Sequence, residues 1–309
     1  VPDYKNLNGQ KMILLYITLG NQTALHGQAA FSIYSFIAKG NGLFTINIIT
    51  DSPNYYAHLD DQIIVRPISN EILNEWKGRY DFFWRIKIKA IEWMCREYPG
   101  RPVIYLDTDT FFYGDVSELQ SILKNGNAIM HEDEGPLSAM PEKTAKKMWG
   151  QIKGALFGGL KMIQEEKMWN AGVAGCPNTK QLLECDLALK ICDEMCAAGV
   201  TPRLIEQFAL SVALNHIYKI KSVDSLIGHY WSNKEEWNDT IASFFLKTYF
   251  EKKTTEEIIN SMSLFNFSAL PVKKIESNTA RRLNKKIGKL FKTKSIGYID
   301  TKDQNAKES

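Results

Sequence analysis

Residues 101–113 read Arg-Pro-Val-Ile-Tyr-Leu-Asp-Thr-Asp-Thr-Phe-Phe-Tyr. Val103 to Leu106 is an apolar run, short and β-rich enough for a buried central strand, and it stops at two carboxylates one residue apart. In an open parallel sheet, ligands collect beyond the carboxyl ends of the strands, so Asp107 and Asp109 are expected at a crevice. Alternate residues of an extended chain face the same way, which offers a hard divalent cation two oxygen ligands at once. Taken alone, an Asp-x-Asp is better explained by an ordinary loop. The segments around it decide.

Upstream, residues 12–18 (MILLYIT) predict a buried first strand, 20–27 a polar loop, and 28–39 a helix with Ala30, Ile33, Tyr34 and Ile37 at helical spacing. Residues 44–50 and 62–68 predict two more strands, and 81–97 a helix that runs directly into the central strand, with Arg85 near its N-terminal end. Downstream, a helix is expected over 116–125, a strand over 127–130 and an acidic turn over 131–136. A stretch punctuated by Gly135, Gly154, Gly158 and Gly159, with a helix over 142–152, suits a lid, an acceptor wall or a peripheral subdomain. MWNAGVAGC (168–176) reads as one strand, followed by helices over 180–198 and 203–218, the second opened by Thr201 as N-cap with Pro202 at its first position. A last strand over 220–223 leads to Gly228-His-Tyr-Trp231 and to helices over 235–250 and 255–261. This alternation defines an α/β class with a Rossmann-like, mostly parallel central sheet flanked by helices.

With 309 residues, 44% hydrophobic and 24% charged, the chain is long enough for one large core plus an appendage. It contains no apolar run of eighteen residues, and residues 1–10 are polar and do not read as a secretory signal. The odd count of five cysteines argues against a disulfide scaffold and for a reducing, cytoplasmic setting. Cys185, Cys192 and Cys196 fall on one helix face, where buried thiols are expected in preference to a zinc site, since no short Cys-x-x-Cys pair is present. The net charge of +3 does not indicate nucleic-acid binding. It is concentrated in 281–294, where seven of fourteen residues are Lys or Arg and none is acidic. Leu283, Ile287, Leu290 and Phe291 share a helical face there, a basic amphipathic pattern suited to an anionic membrane surface.

Four separated pieces stand in a telling order: the Arg85 helix leading into VIYLDTD, then WNAGVAG, then Glu206-Gln207, then His229 with a Trp after it. This order resembles the GT-A-fold glycosyltransferases that use nucleotide-diphosphate sugars, and among them the family 8 type that includes glycogenin and bacterial lipopolysaccharide galactosyltransferases. The resemblance covers residues 12–237. It implies a GT-A-type catalytic domain over 1–250 and a helical, basic extension over 251–309. It implies transfer from a nucleotide sugar, most often a UDP-sugar, to a saccharide or lipid-linked acceptor, with Mn²⁺ or Mg²⁺ as cofactor. His229 would be the third metal ligand beside Asp107 and Asp109, and an imidazole favours Mn²⁺. Gln207 would lie beneath the anomeric carbon, where an amide, a poor nucleophile, stabilises positive charge. Asp109 counts with it in the catalytic set. Arg85 would contact the donor sugar or its phosphates, Thr18 and Asp51 the nucleoside, and Thr108, Glu132 and Glu206 the donor or acceptor. In WNAGVAG, Ala171 and Gly172 leave room for the donor and Asn170 can bond a sugar hydroxyl. In the family pattern a Gly, a Lys and a Trp stand three, six and eight residues after the histidine. Here Ser232, Glu235 and Trp237 occupy those places, and the diphosphate-binding candidate Lys234 stands one place early.

The chemistry agrees with these roles, since departure of a diphosphate needs negative charge neutralised, which a bound divalent ion does. Alternative readings are a haloacid-dehalogenase-like phosphohydrolase, a sugar-nucleotide pyrophosphorylase and a catalytically inactive sugar-nucleotide-binding module. The first wants Thr or Val where Phe111 stands, and the second a basic glycine-rich loop where LGNQTALHG stands. The expected setting is cytoplasmic, at the inner face of a membrane if the 281–294 stretch engages one.

Overall fold

The computed structural model describes residues 11–40, 42–59, 61–177 and 182–274, together with Leu283, Lys286 and Ile287. The first half runs β1 (Met12–Thr18), α1 (Thr23–Gly40), β2 (Phe44–Thr50), β3 (Ile63–Pro67), α2 (Asn70–Lys77), α3 (Arg85–Glu97), β4 (Val103–Leu106) and β5 (Thr110–Phe112). Next come α4 (Val116–Lys124), β6 (Ala128–Met130), β7 (Asp133–Pro136), α5 (Lys143–Ile152), β8 (Leu156–Phe157), β9 (Leu160–Lys161), β10 (Lys167–Trp169) and β11 (Val173–Cys176). The described chain closes with α6 (Leu183–Ala197), α7 (Ile205–Ile217), β12 (Ile220–Ser222), β13 (Ile227–His229), α8 (Lys234–Phe250) and α9 (Thr255–Ser263).

Among the described residues, seven strands form the main sheet in the order β12-β6-β11-β4-β1-β2-β3. All neighbours are parallel except β11, which runs antiparallel to both β4 and β6. Both faces are covered, so the central strands β1, β4 and β11 are almost wholly apolar, and alternation sorts their side chains between two cores. Ile13, Leu15, Val103 and Tyr105 pack with residues of α3, α6 and α7, while Met12, Leu14, Tyr16, Ile104 and Leu106 pack with residues of α1 and α8. Ser69 caps α2, Asp115 caps α4, and Thr254 with Glu257 forms a capping box on α9.

Four local expectations need correction. Helix α1 begins at Thr23, not residue 28. Two polar residues of its early turns are buried because they find partners: His26 Nδ1 lies 2.8 Å from the Tyr56 hydroxyl, and Gln28 Nε2 donates to Asn238 at 2.6 Å. Apolar spacing could not mark such turns. The stretch 168–176 is two strands, β10 paired with β7 and β11 in the main sheet. Between them, Gly172 N–H donates to the Asn170 side chain at 3.0 Å, a local bond that competes with a continuous ladder. The acidic segment after His131 is a strand, β7, because β10 supplies it a partner. Thr201 does not cap α7; its hydroxyl donates to Gln151 at 2.8 Å, and a 3-10 turn over Pro202–Leu204 precedes the helix.

The glycine-punctuated region is fastened down. Gly158 N–H, in the β8–β9 hairpin, donates to Glu194 of α6 at 2.6 Å, and a Cβ there would lie 2.6 Å from Ile191 Cγ1. The compact unit runs through Lys273 and includes α9, which packs on α1; residues from 274 onward form a second unit. The 281–294 stretch lies outside the described residues apart from Leu283, Lys286 and Ile287, which are helical and exposed. Among the described residues, no helix is long and apolar enough to cross a membrane.

Candidate active site

Asp107 and Asp109 do not lie on one extended strand. Strand β4 ends at Leu106, and the chain turns through 107–109, closed by the Thr110 hydroxyl donating to the Asp107 carbonyl at 2.8 Å. Strand β5 then pairs with β13, setting His229 opposite Thr110. The two carboxylates and the imidazole therefore converge, their ligand atoms all within 4.8 Å of one another. His229 Nε2 lies 3.5 Å from Asp109 Oδ2 and 4.0 Å from Asp107 Oδ2.

The bonds of Asn170 fix which histidine nitrogen faces the carboxylates. Its Oδ1 accepts from Gly172 N–H and lies 3.1 Å from His229 Nδ1, and its Nδ2 donates to Glu134 Oε1 at 3.0 Å. An oxygen that only accepts requires Nδ1 to carry a proton, which leaves Nε2 as the nitrogen turned to the two carboxylates and open to a metal. Gly172 makes the ring's place: a Cβ there would lie 2.1 Å from His229 Cε1. Gly175 likewise yields to Ile129 Cγ1, 2.4 Å from where a Cβ would be. These glycines serve packing within the protein.

Two chains of polar contacts support the centre. In one, Lys87 Nζ sits 3.4 Å from Asp107 Oδ1 and 3.2 Å from Glu206 Oε1, and donates to the Ala171 carbonyl at 3.1 Å. Burial alone would lower the Lys87 pKa, but Asp107 and Glu206 outweigh it and hold the ammonium above its ordinary value. Burial raises Glu206, only partly offset by Lys87. In the other chain, Gln207 Nε2 donates to Glu134 Oε2 at 3.0 Å, which leads through Asn170 to His229. Burial raises Glu134 as well. Asp109 goes the opposite way: burial favours its neutral form, yet His229 and Lys234 hold it well below the usual carboxylate range. Lys234, in the first turn of α8, brings Nζ to 2.9 Å from Asp109 Oδ2 although it stands one place early in sequence.

Several expected residues are engaged elsewhere. Arg85 makes a two-pronged pair with Asp193 at 2.7 and 3.0 Å and donates to the Trp76 carbonyl at 2.8 Å. Lys87, two residues on and absent from the sequence candidates, is the α3 cation that reaches the site. The Thr108 hydroxyl donates to Gln28 at 3.1 Å, and Thr18 accepts from Tyr56 at 3.0 Å, so both serve the α1 side of the core. Glu132 pairs with Lys273 at 3.3 Å, whereas Glu134 faces Asn170 and Gln207. Asp51 accepts from Gly20 N–H with both oxygens at 2.9 Å and lines a cavity of about 530 Å³ with Asn21, Ser52 and Ser69. A second, more apolar cavity of about 490 Å³ adjoins His229, lined in part by Phe111, Tyr113, Trp231, Leu270 and Val272.

The residues fit a divalent cation. Asp109 is 3% exposed, and its Oδ2 has no partner in hydrogen-bond geometry despite the nearby charges. Asp107 and Asp109 bring two carboxylates to one point, a like-charge pair that a dication relieves. Hard oxygens plus the Nε2 imidazole nitrogen suit Mn²⁺ or Mg²⁺.

A mostly parallel sheet with one antiparallel strand beside the central one, carrying an Asp-x-Asp turn at its carboxyl end, is the GT-A fold of glycosyltransferases. Among solved structures, the chain is similar to the galactosyltransferase LgtC, determined in complex with donor and acceptor sugar analogs. The TM-score is 0.50 at 12% identity, covering 83% of this chain and 98% of that one. Mouse xyloside xylosyltransferase 1, in its apo form, matches with a TM-score of 0.45 at 13% identity, covering 75% of this chain and 92% of that one. No protein-family model matches, and no curated protein sequence matches. The likeness to GT-A-fold glycosyltransferases first read from the motifs is thus met in the fold.

Proposed function

We propose that the chain is a metal-dependent glycosyltransferase that moves a sugar from a nucleotide-diphosphate sugar, a UDP-sugar by the motif resemblance, to a hydroxyl of a saccharide or lipid-linked acceptor. The observation that carries this reading is the convergence of Asp107, Asp109 and Nε2 of His229 at the end of the central strand. When bound there, Mn²⁺ or Mg²⁺ supplies Lewis-acid neutralisation of a diphosphate leaving group.

The chain's own residues do the rest. Lys234, half exposed, adds a positive charge beside the metal ligands for the departing phosphates. Gln207 gives its amide hydrogen to Glu134, which leaves its carbonyl oxygen for the positive charge that develops at the anomeric carbon. Asp51 and the cavity beside it take the nucleoside. The cavity on the other side of His229 receives the acceptor, with the half-exposed rings of Tyr113 and Trp231 offering flat apolar faces to a sugar.

A thermal-shift panel of nucleotide sugars, each with and without Mn²⁺, tests the reading, because a ligand selective for the native state raises its apparent stability. One nucleotide class should stabilise the protein only with metal; no shift for any nucleotide under any metal overturns the donor site. The 281–294 stretch would hold the enzyme on an anionic membrane surface near a lipid-linked acceptor. Deleting residues 281–309 should abolish binding to phosphatidylserine vesicles, and unchanged binding removes that part of the account.

A further inference from the structure

A second cluster of metal-ligating side chains lies in the core at the opposite end of β4 from Asp107. Cys176 closes β11 and pairs in register with Val103, the first residue of β4, about 13 Å from Asp107 at ~3.3 Å per residue. Cys95, near the end of α3, lies within hydrogen-bonding reach of Cys176 and of Cys185. Cys185 and Glu184 stand in the first turn of α6. All four residues are buried, the cysteines are free thiols, and the ligand atoms of Cys95, Glu184 and Cys185 lie within 4.8 Å of one another.

Glu184 adds an oxygen donor to the thiols. It is 3% exposed, its Oε2 accepts from the Tyr218 hydroxyl at 3.2 Å, its Oε1 is buried without a partner in hydrogen-bond geometry, and the Cys176 thiol lies within reach of the carboxyl. A buried carboxyl oxygen with no geometric hydrogen bond, set beside three thiols, is a donor atom free to take a metal.

We propose that Cys95, Cys185 and Glu184, with Cys176 as the nearest fourth donor, bind one Zn²⁺ that ties α3, β11 and α6 together. Tetrahedral zinc with sulfur at about 2.3 Å needs ligand sulfurs about 3.8 Å apart, so the cluster closes on the ion with small side-chain adjustments. Thiolates exclude Mg²⁺ and Ca²⁺, which take hard oxygens, and separate this site from the Asp107 centre, which offers only oxygen and nitrogen. Without the ion the thiols carry protons: the hydrogen bonds that Cys95 donates to Cys176 and Cys185, then burial, hold the Cys95 thiol well above its ordinary range, and burial raises Glu184. Binding releases the thiol protons of Cys95 and Cys185 to solvent, and the two thiolates cancel the ion's charge.

The test is cobalt substitution of the full-length protein. Purified chain stripped with chelator and reloaded with Co²⁺ should show a near-ultraviolet thiolate-to-cobalt charge-transfer band. The band should persist in the Asp107→Asn/Asp109→Asn double variant and vanish in Cys185→Ser. Glu184→Gln, which preserves shape and both thiols, keeps the test independent of whether Cys185→Ser folds: it should weaken zinc competition for the cobalt at least tenfold. Elemental analysis of the untreated protein should give about one zinc per chain that survives mutation of both aspartates. Absence of a thiolate band in the wild-type chain, or a band that Glu184→Gln and Cys185→Ser leave unaltered, overturns the site.

Discussion

Gly172 has no room for a side chain, since any Cβ would stand 2.1 Å from the ring of His229. Gly172→Ala should push the imidazole off its place and weaken Mn²⁺ binding ~10–100-fold, the usual effect of disturbing a residue that orients a ligand, with the circular-dichroism spectrum unchanged. Unaltered Mn²⁺ affinity by titration calorimetry would remove His229 from the ligand set. His131 gives a pH signature of its own. Burial, aided by His229, lowers its pKa from 6.5 to about 4. The unfolded chain therefore takes up the proton near pH 6.5 and the folded chain only near 4; stability is full above that window and falls as pH drops through it. The loss is on the order of 3 kcal/mol. His131→Gln, which retains a donor for the Ile227 carbonyl, should flatten this limb in urea unfolding at pH 7 and pH 4.5 in metal-free buffer. At this scale the sequence was legible where chemistry is local and opaque where a distant partner chooses. Asp107 and Asp109 announce themselves at a strand end. Arg85 and Lys87, nearly opposite on a helix, cannot both face the site, and Asp193, 108 residues away, takes Arg85.

Helix α3 and strand β7 each deliver a charge that only pairing can orient. Lys87 bridges Asp107 and Glu206, with Lys87 and Glu206 both buried. Lys87→Met leaves Glu206 buried without a cation and should cost about 3–5 kcal/mol of stability. The Lys87→Met/Glu206→Leu double variant should recover most of that loss, and a purely additive result in chemical denaturation would show that the two do not act as a pair. Strand β7 and the residue before it offer Glu132, Asp133 and Glu134 in a row, and pairing with β10, some thirty residues later, turns Glu134 toward Asn170 and Gln207. No local pattern encodes that choice. The uninterrupted strands β1 and β2 and the strongly patterned helix α4 were read within a residue, because their burial is written in their own apolar spacing. The break at 170–172 was missed because a side-chain bond of Asn170 ends β10, and small apolar residues on either side look like one strand.

Across the whole molecule, the centre gathers residues from six parts of the chain: α3, the turn after β4, β7, the segment between β10 and β11, the first turn of α7, and β13 with the start of α8. Such a site forms only when the sheet order is complete, so destabilising the β5–β13 pairing should abolish metal binding before it unfolds the rest. Lys234 belongs to the same assembly. Lys234→Ala should leave the melting temperature within a few degrees, its side chain being half exposed, while lowering turnover of a nucleotide sugar at least tenfold, about 1.4 kcal/mol in the barrier. The most direct measurement is release of free nucleoside diphosphate from a UDP-sugar by the wild-type chain and by Asp109→Asn, with Mn²⁺ and with chelator. The account predicts release only by the wild-type chain with metal, and release indifferent to chelator and to Asp109→Asn would contradict it.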